Sequence, residues 1–185
     1  MRLGWDHILD LGAWDHLLFL GMLSVRFVFA DWKPLLFRIT AFSLGHSATT
    51  VLAGLSGWSD SSGWVEFGIA ASIALTALFN FAPGKKKPSA FEPQTILSLV
   101  FGMIHGLGFG AYFALLPASD ANLALPLLGF TLGIELAQVA IALSALSLWA
   151  ILESAFGWKH REWVLIWTGA GLAWSLLWCV ENWPL

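Results

Sequence analysis

Apolar residues recur along this chain in long runs that polar and turn-forming residues interrupt at nearly regular intervals. The first run covers residues 13–30 and is closed by Asp31, Lys33 and Pro34. The second, residues 35–55, ends in the Gly- and Ser-rich stretch 57–63. The third, residues 64–82, stops at Pro83, Gly84 and the run Lys85, Lys86, Lys87. A fourth covers residues 93–116 and gives way to Pro117 and Asp120. A fifth covers residues 123–152, and Lys159, His160 and Arg161 separate it from a sixth, residues 162–180. A helix needs about 20 mostly apolar residues to cross a bilayer, and each run has about that length. The pattern therefore predicts an all-α fold, a polytopic membrane bundle of about six helices forming a single transmembrane domain over residues 1–185. Residues 1–12 are expected as an interfacial segment, with Trp5, Ile8 and Leu9 toward lipid and Asp6, His7 and Asp10 toward water or the bundle.

Composition supports that reading. Of 185 residues, 58% are hydrophobic and 11% charged, with twelve Trp, fourteen Phe and a mean hydropathy of +0.75. A soluble globule of this size cannot hide so many large apolar side chains. A net charge of −3 with nine Lys and Arg leaves no basic field for a nucleic acid, and the single Cys179 can form no internal disulfide. The cations also sort by side. Arg26, Lys33 and Arg38 flank the first loop, Lys85 to Lys87 fill the third, and Lys159 and Arg161 fill the fifth, leaving Arg2 alone on the other side. The excess of cations in cytoplasmic loops predicts that both termini lie outside, on the periplasmic face of a bacterial inner membrane. Asp6, Asp10, Asp60 and Asp120 share that outer face.

Ionisable residues within apolar spans cost several kcal/mol and mark function by default. Here His46, His105 and Glu135 fall near the middle of the second, fourth and fifth runs, while Asp15, His16 and Glu66 fall at outer ends. Thr40, Ser43, Ser47 and Thr50 form a hydroxyl stripe beside His46, and Thr131, Glu135 and Gln138 share one helix face. Gly102, Gly106 and Gly110 are spaced by four and predict a close helix crossing beside His105. Gly129 and Gly133 offer a second close-packing face, for an internal crossing, a second copy or a partner membrane protein. Imidazoles with carboxylates in a low-dielectric bundle suit a divalent transition metal such as nickel, zinc, cobalt, copper or iron, whereas calcium or magnesium prefers more oxygens. Two competing readings remain. Three His ligands with Glu135 or Asp15 as base would make an intramembrane zinc hydrolase, although no His-x-x-x-His pair completes it. A metal-free scaffold would bond His46, His105 and Glu135 to one another. His160, in a basic loop, is expected to be solvated.

Several motifs carry a resemblance: His7-Ile8-Leu9 with Gly12 and Asp15-His16-Leu17-Leu18-Phe19-Leu20, Thr40-Ala41-Phe42-Ser43-Leu44-Gly45-His46-Ser47, and Val65-Glu66 with Ala70-Ala71-Ser72-Ile73. Phe101-Gly102-Met103-Ile104-His105-Gly106-Leu107-Gly108-Phe109 and Phe130-Thr131-Leu132-Gly133-Ile134-Glu135-Leu136-Ala137-Gln138 complete them. In order and spacing the chain resembles the HupE/UreJ family of small membrane proteins. The resemblance implies a permease, not an enzyme, for nickel or a related metal. His7, Asp15, His16, His46, Glu66, His105, Glu135 and Gln138 would line its path. The expected ligands are His7, Asp15, His16, His46, Glu66, His105 and Glu135, supported by Ser43, Ser47, Thr131 and Gln138. The expected partners are the metal ion and membrane lipid.

Overall fold

The computed structural model describes residues 1–10, 14–56, 58, 63–82, 89, 92–114 and 124–184. Gly12, Asp60, Lys85, Lys86, Lys87, Pro117 and Asp120 lie outside the described residues. Among the described residues, all regular structure is helical: α1 (Arg2–Leu9), α2 (Trp14–Ser24), α3 (Trp32–Ser56), α4 (Trp64–Phe81), α5 (Pro93–Ala114), α6 (Ala124–Phe156) and α7 (His160–Glu181), with a 3-10 turn at Phe29–Asp31. The boundaries follow local chemistry. Pro93 opens α5 at the position where a missing N–H costs nothing. Gly157, at φ +68, ends α6 in the left-handed conformation that only glycine adopts cheaply. Glu162 accepts the Lys159 N–H at 3.0 Å and caps the start of α7.

Two glycine crossings organise the bundle. Along α3 and α5, a Cβ on Gly45 would strike the Leu99 carbonyl, one on Gly102 the Phe42 carbonyl, and one on Gly106 the His46 carbonyl and the Thr49 hydroxyl. The two backbones touch. Thr49 donates to the Met103 carbonyl at 2.7 Å and Thr50 to the Gly106 carbonyl at 3.0 Å, hydrogen bonds that strengthen a crossing where water is scarce. The second crossing joins α1 to α6, where Gly4 meets the Phe130 carbonyl and Gly133 meets the Met1 carbonyl. Gly129 and Gly133 therefore serve an internal contact. Ile8 is consequently buried in the core and does not face lipid as expected, whereas Trp5 is exposed. On the third side α4 packs on α7, and α2 lies against both, with Met22 filling the space above Gly171. Asn80 of α4 donates to the Met22 carbonyl at 2.7 Å and Arg26 to the Phe79 carbonyl at 3.2 Å, so the ends of α2 and α4 satisfy each other.

Among the described residues, three helices are long and apolar enough to cross a membrane: α4, residues Leu128–Phe156 of α6, and α7. Pro93–Phe109 of α5 is a shorter apolar stretch. The long α3 fails that test because its buried hydroxyl stripe and Arg38 lower its hydropathy. The first expected span is reduced to the eleven residues of α2, which at 1.5 Å per residue reach only about 16 Å of the ~30 Å hydrocarbon core. The chain is an integral-membrane type of helical bundle whose inner core is aromatic. Phe19 stacks on Phe42 at 4.6 Å, and Phe101 meets Phe19 edge-on at 6.2 Å.

At the crossing of α3 and α5, Gly106→Ala must push the helices apart and should cost about 1–3 kcal/mol. Gly21→Ala and Gly169→Ala meet nothing within 4 Å and should be neutral or stabilising. Thermal unfolding in detergent compares them. Equal midpoints for Gly106→Ala and Gly169→Ala would contradict the crossing.

Candidate metal centre

Four imidazoles gather where α1, α2, α3 and α5 meet. α1 brings His7, α2 brings Asp15 and His16, and the glycine crossing sets His46 of α3 beside His105 of α5. Exposure is 4% for His16, 0% for His46 and 1% for His105, so none is solvated as an ordinary surface histidine. His16 is central: its ring centroid is 4.8 Å from that of His7 and 5.5 Å from those of His46 and His105. One ligand atom each from His7, His16 and His46 lies within 4.8 Å of the others, and the same holds for Asp15, His16 and His105. Either trio can hold a metal ion.

Hydrogen-bond donors decide which ring nitrogens are free. Thr50 spends its proton on the Gly106 carbonyl, so its oxygen can only accept from His46 Nδ1, 3.4 Å away. Ser72 donates to the Ile69 carbonyl at 2.7 Å and so accepts from His105 Nε2 at 3.0 Å. His46 Nε2 and His105 Nδ1 are left as bare acceptors. His105 Nδ1 has no hydrogen-bond partner and points toward Asp15 Oδ2 at 3.9 Å, and His7 Nε2 is likewise buried without a partner. His16 faces acceptors on both sides: Nδ1 is 3.1 Å from Asp15 Oδ1 and Nε2 is 3.4 Å from His46 Nε2. A neutral imidazole has one N–H for these two contacts. The other contact is met by a second proton on His16 or by a metal cation.

Phe19 and Phe42 each lie 5.1 Å from His105 and form a dry floor below the imidazoles. Above them a cavity of about 270 Å³ opens, lined by Asp15, Glu66, Trp14, Phe109, Trp178 and Asn182 together with His7, His16 and His105. His46 lies deeper, outside that lining. Phe109 packs against His7 with ring centroids 3.9 Å apart and holds it over the cluster.

The expected residues divide into two groups. His7, Asp15, His16, His46 and His105 come together, and Glu66 sits at the cavity mouth, exposed. Glu135 does not join them: it accepts the Thr40 hydroxyl at 2.6 Å, and Thr40 precedes His46 by six residues, about 9 Å along a helix axis. Ser43 donates to Gln138 Oε1 at 2.7 Å instead of supporting an imidazole, and the Ser47 hydroxyl has no hydrogen-bond partner. Thr131 is half-buried on the same face as Glu135. The residues that orient the imidazoles are Thr50 and Ser72. Thr50 was visible as part of the hydroxyl stripe; Ser72 carried no such signal, since its role depends on how α4 meets α5. His160 is half-buried against Trp149, with ring centroids 4.9 Å apart, and not simply solvated.

A family model described as HupE / UreJ protein matches residues 1–182, nearly the whole chain. No curated protein and no solved structure matches it.

Ser72→Ala removes the acceptor of His105 Nε2 and leaves a buried donor unpaired, a loss of about 1–3 kcal/mol. Ser72→Thr keeps the oxygen. Unfolding of both variants in detergent should show the alanine variant destabilised and the threonine variant closer to wild type. An alanine variant as stable as wild type would remove Ser72 from this role.

Proposed function

The chain belongs to the HupE/UreJ family, and from that premise we propose that it is a membrane permease, or the metal-binding part of an uptake system, for a divalent transition metal held at His16. Family membership indicates a role related to metal transport in a membrane, nickel or cobalt in particular. The observation that carries the finer reading is the convergence of ligand atoms on His16: Asp15 and His46 meet its two nitrogens, and bare nitrogens on His7 and His105 lie beside them. A metal cation is the species that several neutral imidazoles and one carboxylate accept together without a charge penalty. Nickel, cobalt and zinc fit this donor set best.

In this reading the bundle crosses the membrane about six times as one domain, residues 1–185. Polar α3 counts as spanning because the glycine crossing and the core cover its polar face, and the first crossing is completed by residues 25–31, which continue short α2 toward the cytoplasmic end. Arg26, Lys33, Arg38, Lys159 and Arg161 mark the cytoplasmic end, so the cavity opens to the periplasm of a bacterial inner membrane. Asp15 and Glu66 attract the ion at the mouth, the imidazoles strip its water, and Asp15 orients His16 as carboxylates orient metal-binding histidines elsewhere. Phe19, Phe42 and Phe101 close the way below, which is the outward-facing state of an alternating-access cycle. The pairs Thr40–Glu135 and Ser43–Gln138, deeper along α3 and α6, are the next polar groups an inward-moving ion would meet. The scaffold reading would bond His46, His105 and Glu135 to one another, whereas these meet Thr50, Ser72 and Thr40.

Purified protein should bind one divalent ion per chain by calorimetry with nickel or cobalt and should accumulate it in proteoliposomes. His16→Ala should abolish both while keeping the helical content. Metal binding by a folded His16→Ala variant equal to that of wild type would overturn the site. Protons compete for the same nitrogens, so affinity should fall as the pH is lowered. An affinity independent of pH would contradict imidazole ligation.

A further inference from the structure

His16 belongs to both ligand trios, and it faces each through a different ring nitrogen: Nδ1 toward Asp15, Nε2 toward His46. A neutral imidazole coordinates through one nitrogen and keeps its proton on the other. We propose that the centre holds one metal ion in either of two mutually exclusive positions that share His16, an upper position at Asp15, His16 Nδ1 and His105, and a lower position at His7, His16 Nε2 and His46. The inference rests on the metal-binding reading above and adds how the ion moves within the site.

The two positions are complementary in hydrogen bonding. With the ion in the upper position, His16 Nε2–H donates to His46 Nε2 across 3.4 Å. With the ion in the lower position, His16 Nδ1–H donates to Asp15 Oδ1 across 3.1 Å. In each case the vacated position is closed by the proton that the occupied one displaces, so neither leaves His16 with an unpaired buried group. The positions also differ in access. Asp15, His16 and His105 all line the cavity, whereas His46 is fully buried and lies outside its lining. The upper position is thus the one an ion reaches first. Moving down breaks the metal bonds to Asp15, His16 Nδ1 and His105 and forms bonds to His7, His16 Nε2 and His46. His16 gives up its Nε2 proton to solvent and takes one up at Nδ1, with no net proton released. The ion also exchanges a carboxylate for imidazole, so the lower position is the softer one and selects transition metals over magnesium and calcium.

Cobalt(II) serves as the probe, because its visible spectrum reports the ligand set. Full-length wild type in detergent should bind one Co2+ per chain. His46→Ala and His7→Ala, which remove the lower position, should each keep one Co2+, with a spectrum shifted toward mixed carboxylate and imidazole ligation. His105→Ala and Asp15→Asn, which remove the upper position, should also keep one Co2+, with a spectrum shifted toward imidazole. The double variant His46→Ala/His105→Ala should lose binding. Two variants on each side keep the comparison decisive where one fails to fold. Two Co2+ per wild-type chain would overturn mutual exclusion. Loss of all binding in folded single variants on both sides, or identical spectra from both sides, would show a single undivided site. A wild type that binds no Co2+, nickel or zinc at all would instead refute the metal-binding reading itself.

Discussion

Everything at the candidate metal centre depends on the backbone contact between α3 and α5. Gly45, Gly102 and Gly106 remove the side chains that would otherwise hold the two helices several ångströms further apart. Because the contact runs through the carbonyls of Phe42, His46 and Leu99, the register is set by backbone atoms and admits little sliding. His46 and His105 then project from neighbouring turns of a single rigid pair, and the Thr50 hydroxyl is pinned between His46 Nδ1 and the Gly106 carbonyl. The same glycine whose missing Cβ allows the crossing thus supplies the carbonyl that fixes the orientation of a candidate ligand.

Around that pair the remaining ligands arrive on separately supported elements. α1 carries His7 and is anchored to α6 through its own glycine contact, while α2 carries Asp15 and His16 and is tied to α4 at its far end by Asn80 and Arg26. The centre therefore lies at a junction between packed units and not inside one of them. An ion that ligates His7, His16 and His46 together would join three units, which is how binding energy can be converted into their relative movement. The opposite end of the bundle is built differently. There Arg38 and Glu92 form a buried pair at 2.6 Å with Arg38 over the Phe27 ring at 4.9 Å, and a larger cavity of about 900 Å³ is lined by Arg26, Asp31, Asn80, His160 and Arg161. Carboxylate and imidazole dominate one end, guanidinium the other.

Much of this was legible in the residues before any coordinates. Run lengths marked α3 to α7 to within a few residues, and the spacing of Gly102 and Gly106 announced the crossing. His16, His46 and His105 stood out because imidazoles in apolar runs need a reason. The failures have a common physical origin in register between helices, which one-dimensional spacing does not contain. Glu135 shared an estimated depth with His46 but meets Thr40 instead, and Gln138 meets Ser43. Ile8, apolar on an amphipathic segment, was assigned to lipid although Gly4 and Gly133 bring α1 down onto α6 and bury it. Ser72 stands in the Ala70-Ala71-Ser72-Ile73 motif but belongs to no polar stripe, and a serine in an apolar helix commonly bonds its own backbone. Here it does so and holds His105 as well.

The central claim is that His16 and its neighbouring imidazoles ligate a metal ion. X-ray absorption at the zinc edge of zinc-loaded protein in detergent tests it most directly. The account predicts a first shell containing nitrogen at about 2.0–2.1 Å with the outer-shell scattering of at least two imidazole rings, both reduced by His16→Ala. A first shell of oxygen alone, with no imidazole scattering and no change in that variant, would contradict it.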